Sequence, residues 1–193
     1  MLTVVAANEA PWEDIEKVFG APDPHGCQCQ RLKLGRFEWM PEPQEVRAAH
    51  LREQTSAPET SGLIAYLEQE PVGWCAVEPR TAYPLLLTNR SPVPWQGRTE
   101  DRDDNTVWAL TCFVVRPGFR RQGVSAALVV AAVEHARSRG ARALEGYPMI
   151  THPGKEITWG ELYVGSRSIF VEAGFSEVSQ PTLRRVVMRI DLR

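Results

Sequence analysis

The chain has 193 residues, 43% of them hydrophobic and 24% charged, with a formal net charge of −2. That length suits one domain with a proper core, and the near-neutral balance argues against nucleic acid or an anionic membrane as a partner. No apolar run approaches the roughly 20 residues of a membrane span. Met1-Leu2-Thr3-Val4-Val5 lacks a basic flank and a signal-peptide core, so a cytoplasmic protein is expected.

In chain order, Leu2 to Ala7 reads as a first strand. Ala10-Pro11-Trp12-Glu13-Asp14 opens a helix to about Phe19, with Pro near its first turn and acids suited to the dipole. Breakers follow from Gly20 to Pro24. Pro41-Glu42-Pro43 starts a second helix to about Glu53, and Gln54 to Ser61 is a polar loop. Leu63 to Glu68 and Val72 to Glu78 predict a hairpin turning at Gln69-Glu70-Pro71. Pro79 to Asp104 is a long Pro- and Arg-rich segment, and its Leu and Trp content predicts that it packs as a wall of the site.

The four cysteines are Cys27, Cys29, Cys75 and Cys112. Without a secretion signal, reduced thiols are the default. His25-Gly26-Cys27-Gln28-Cys29 lacks Cys-x-x-Cys spacing and a second ligand pair, so no metal is expected.

The stretch from Val107 to Gly140 organises the rest. Val107 to Val115 is apolar and rich in β-branched and aromatic residues, and Pro117 ends it: a buried strand. A helix runs from about Val124, with Arg137 and Arg139 in its last turn and Gly140 as its C-terminal stop. Between them stands Arg116-Pro117-Gly118-Phe119-Arg120-Arg121-Gln122-Gly123. A strand, a basic glycine-containing turn and a helix N-terminus make an anion site, because turn amides and the helix dipole point at one spot. Neither the nucleoside-triphosphate loop nor the dinucleotide Gly-x-Gly-x-x-Gly pattern is present. Arg142 to Gly146 then reads as a fifth strand, parallel to the Val107 strand through a right-handed crossover. Glu145 lies near its end, and Tyr147-Pro148 stops it. His152 to Gly160 is a loop, Val164 to Ala173 a helix, and Leu183 to Ile190 the closing strand.

Arg120-Arg121-Gln122-Gly123-Val124-Ser125 resembles the Arg/Gln-x-x-Gly-x-Gly/Ala motif of the GNAT superfamily of N-acetyltransferases. The preceding strand and Leu128 agree, and Ser125 is a small departure. Ser168 to Phe175 is similar to the second signature of that superfamily, with Phe170 where a Tyr usually stands. The likeness is close over about 107–190 and weaker before it, where only the order of elements agrees. It implies an α/β fold over one domain, 1–193, with a mixed, mostly antiparallel sheet flanked by helices. Residues 1–105 would supply the first strand, two helices, hairpin and long loop, and 106–193 the cofactor core and last strands.

The resemblance also implies acetyl-CoA as cosubstrate and transfer of its acetyl group to a primary amine in a ternary complex. The turn amides from Arg121 to Ala126, through Gln122, Gly123, Val124 and Ser125, would hold the pyrophosphate, with Arg120 or Arg121 adding charge. The main chain of Phe113, Val114 and Val115 would pair with the pantetheine arm in a gap between two splayed strands. A strand amide there would face the thioester oxygen. Glu145 is a candidate base. For the acid, Phe170 has no proton to give; Tyr163 is the first choice and Tyr147 the second. A thiolate, with a thiol pKa near roughly 8.5, can also leave unaided. A non-catalytic acyl-CoA-binding domain is the alternative reading. The acceptor, a small-molecule or peptide amine, is unassigned, and a homodimer is left open.

Overall fold

The computed structural model describes residues 1–20, 25–34, 42–88, 93–152 and 157–192. Trp39 and the centre of the loop after His152 therefore fall outside the described residues. Seven strands form one sheet in the order β1-β2-β3-β4-β5-β7-β6. They are β1 (Leu2–Ala6), β2 (Gly62–Leu67), β3 (Glu70–Pro79), β4 (Val107–Val115), β5 (Ala143–Gly146), β6 (Ser176–Thr182) and β7 (Arg185–Asp191). Only β4 and β5 pair in parallel; the other neighbours are antiparallel.

The sheet carries different layers on its two faces. On one lies the long core helix, α4 (Val124–Ser138), whose residues Val124, Leu128, Val129, Ala132, Val133 and Ala136 are buried. That spacing puts one stripe against Leu63, Val72, Cys75, Leu110 and Leu144. Each fully buried Leu or Val adds about 1.5–3 kcal/mol to stability. The other face carries α1 (Trp12–Phe19) and α2 (Gln44–Ser56). There Phe19 meets Trp74 edge-on, with ring centroids 5.6 Å apart. Tyr66 donates to Asp14 across 2.9 Å and ties α1 to β2.

Several elements differ from the sequence reading, which expected no strand at β6, a mostly polar run without the apolar alternation that marks a strand. The β2–β3 turn is Glu68-Gln69, both at positive φ, and Glu70-Pro71 already belong to β3. A two-residue turn of that hand matches strand twist, so it wins over a turn at Pro71. The Pro- and Arg-rich segment contains helical turns, among them α3 (Pro84–Leu87). The helix expected from Val164 begins only at Arg167, as α6 (Arg167–Glu172), and a separate short helix, α5 (Trp159–Leu162), stands before it, partly in the expected loop. Gly165, at φ +80, separates them.

Candidate active site

The ladder between β4 and β5 ends at Leu110 and Gly146, while β4 runs on to Val115. A gap thus opens beside the second half of β4, as expected. It holds a cleft of about 290 Å³. One wall is Phe113 and Val115 of β4. One end is Arg120, Arg121 and Gly123 to Ala126, where α4 begins. The opposite wall is Leu162, Tyr163, Gly165, Ser166 and Ile169.

The end of the cleft where α4 begins gathers part of the expected cofactor set. Gly123 caps α4 at φ +79, and a Cβ built there would meet no atom within 4 Å. Open space above a helix N-terminus with aligned amides fits a diphosphate. Arg121 stands exposed at φ +62 and makes no ion pair among the described residues. Arg120 donates to the Val115 carbonyl across 3.2 Å and lines the cleft. Gln122 and Val114 do not line it. The Gln122 amide donates to Gly118 at 3.1 Å, inside the turn, and Val114 points into the core on the α1 side. Arg116, counted with the basic cluster in the sequence, pairs with Glu70 instead.

The thioester end departs from expectation. The Phe113 N–H donates to the Tyr163 carbonyl at 2.5 Å. An arm pairing along Phe113, or a carbonyl seeking that amide, would have to displace the Tyr163 main chain. The same segment is held from behind, since Met149 donates to Gly165 at 2.9 Å and accepts from Arg167 at 2.8 Å. Tyr163 is half-buried, and the Arg31 and Arg185 guanidiniums lie 5.2 Å and 5.9 Å from its ring centre. It caps α5 rather than opening the helix that carries Phe170.

Glu145, the expected base, does not line the cleft. It is fully buried on the opposite sheet face, with Arg80 at 3.4 Å, Arg189 at 3.5 Å and Arg98 in a short contact. Tyr147 donates to it at 3.2 Å. Tyr147 is therefore committed as well, and burial beside that carboxylate raises its pKa well above the ordinary value. Phe170 is fully buried, edge-on to Phe113 and Phe175 at 6.1 Å and 5.1 Å. From its helix it is Ile169 that lines the cleft.

The thiols are packing groups. Trp74 donates to the Cys29 sulfur at 3.2 Å. Burial pushes Cys27 up to about 11 and also raises Cys75, while a hydrogen bond with Cys29, together with burial, raises Cys112. Among the described residues no three His, Cys, Asp or Glu side chains could hold a metal ion. No described helix is long and apolar enough to cross a membrane. A second cavity, about 360 Å³, lies between α1 and α2 and shares no lining residue with the cleft.

Sequence reasoning missed Leu162, Gly165, Ser166 and Ile169 as cleft residues, and Arg31 and Arg185 as neighbours of Tyr163. The Gly165-Ser166 pair carried a readable signal, a helix stop followed by a cap residue. Nothing in the sequence joins Arg31 to Arg185.

The profile of the acetyltransferase (GNAT) family matches residues 23–147. No curated protein matches the chain. Solved structures share the fold at low identity. An N-acetyltransferase from Staphylococcus aureus Mu50 superposes with a TM-score of 0.58 at 11% identity, over 100% of this chain and 99% of that one. An acetyltransferase of unstated source gives 0.60 at 18%, covering 99% and 100%. The ribosomal-protein-S18-alanine N-acetyltransferase of Escherichia coli gives 0.51 at 11%, covering 100% and 94%.

Proposed function

This chain belongs to the acetyltransferase (GNAT) family, and from that premise we propose that it moves the acetyl group of acetyl-CoA onto a primary amine. The observation that carries the reading is the cleft, with phosphate-binding geometry at one end and a lone phenol at the other. The helix N-terminus at Gly123 to Ala126 and the Arg121 guanidinium would hold the diphosphate. Phe113 and Val115 would line the arm, once the Tyr163 main chain yields the Phe113 amide.

In the transfer step the amine nitrogen bonds to the acetyl carbon and the carbon–sulfur bond breaks. The amine gives one proton to solvent and the thiolate takes one from Tyr163, which solvent then reprotonates. Glu145 is assigned no proton transfer, because its oxygens are engaged by four donors away from the cleft.

Ser125→Glu tests the cofactor site. An acid in the first turn suits the helix dipole, so the fold is retained, while its charge occupies the anion spot. Acetyl-CoA affinity by calorimetry should fall about 100-fold or more, since a like charge replaces a charge-assisted contact. Unchanged affinity would remove the assignment. Release of CoA thiol across an amine panel tests the transfer itself.

A further inference from the structure

Among the described residues, eight arginines pair with a carboxylate. Arg80, Arg98, Arg116, Arg142, Arg184 and Arg189 each sit within 4.0 Å of one. Arg31 and Arg185 do not, among the described residues. Arg185 is the sharper case, because its chain neighbour Arg184 pairs with Glu161 at 3.0 Å. Arg185 itself donates from its guanidinium to the Tyr147 carbonyl at 3.3 Å. Arg31 makes no such contact among the described residues and rests on the Tyr163 ring.

These two guanidiniums come from distant places. Arg31 lies in the short helical turn Gln30–Leu32, and Arg185 begins β7. The fold brings both within 6 Å of one ring centre, and that ring lines the cleft away from the phosphate-binding end. Arg31 is exposed and Arg185 half-buried, and a ring gives each cation only a modest attraction, so both guanidiniums keep donors for an anion. A ligand anion would supply the missing partner, and guanidinium forks suit a carboxylate best.

We infer that Arg31 and Arg185 form an acceptor subsite for a carboxylate, so that the amine acetylated here belongs to a molecule that also carries an acid group, such as a free amino acid or a peptide end. The inference rests on the acetyl-transfer reading for its chemistry, though the anion site can be tested without it. Tyr163 then stands between the anchored carboxylate side and the thioester. The anchor would fix the amine against the acetyl carbon, which is how binding away from the reacting atoms speeds transfer.

The test compares free amino acids with the same amino acids as carboxamides, reading thiol release from acetyl-CoA. The acids should exceed the amides in kcat/KM by roughly tenfold or more, as for one charge-assisted pair. Arg31→Gln and Arg185→Gln should each raise KM for the acids and shrink that preference. Acetyl-CoA affinity should hold in both variants; its loss would assign the cations to a phosphate of the cofactor and overturn the inference. Amides equal to acids would overturn it too. If no amine turns over, calorimetry with N-acetylamino acids in the presence of CoA decides. Binding lost in the double variant supports the anion site and sinks the transfer reading, whereas no binding to the parent protein sinks the subsite.

Discussion

Tyr163 is the residue on which the proposed chemistry turns. Its carbonyl occupies the Phe113 amide, its ring lies near two guanidiniums, and its side chain lines the cleft. The sequence reading chose it for its distance from Phe170 along one helix. The structure puts it in the cleft by another route, at the end of a separate helical turn. Phe170 could not have been read correctly from the family position alone. Its ring is part of a three-phenylalanine stack, so a hydroxyl there would enter a dry core. For Tyr163→Phe, kcat should fall roughly 100-fold while acetyl-CoA affinity stays within about twofold, as for a lost general acid with its ring contacts kept. A loss under about threefold would mean that the thiolate leaves unaided.

The elements were legible where one signal dominated. α4 begins at Val124 and its glycine stop follows as expected, because a long apolar stripe bounded by glycines admits few alternatives. The Val164 helix was misread because its apolar residues continue across Gly165-Ser166, and periodicity alone does not register a stop followed by a cap. α4 also carries a pH-dependent contact. His135 packs edge-on to Trp108 at 5.8 Å, and burial, with Arg139 nearby, lowers its pKa below the ordinary 6.5. The folded state thus binds this proton less readily than the unfolded chain. The contribution is fully present above about 6.5 and is lost as pH falls through that value toward the lowered one. Unfolding free energies from urea titrations at about pH 7.5 and about pH 5.5 should differ by under about 1 kcal/mol from this half-buried group. His135→Gln should remove that part of the difference; an unchanged difference would assign it to other groups.

At the scale of the whole molecule, six strands were readable as apolar runs, but β6, which is mostly polar, was not, and neither was the polar core. Glu145 is joined by Arg80 and Arg98 from the Pro- and Arg-rich segment and by Arg189 from β7. Arg80, Arg98 and Arg102 lie 4.8 Å, 4.9 Å and 4.9 Å from the Trp95 ring centre. Partners 44 to 65 residues apart leave no periodicity or spacing to read. Glu145 therefore looked like a strand-end carboxylate, when it pins that segment and β7 to the middle of the sheet. A buried carboxylate shared by three guanidiniums should be costly to neutralise, because its removal leaves uncompensated cations in place. Glu145→Gln should destabilise the fold by about 3–5 kcal/mol, lowering Tm by roughly 10 °C for a domain of this size. Its kcat, measured well below the new Tm, should keep the parent pH profile. A variant with unchanged Tm and a lost acidic limb in that profile would reverse the assignment and make Glu145 the base.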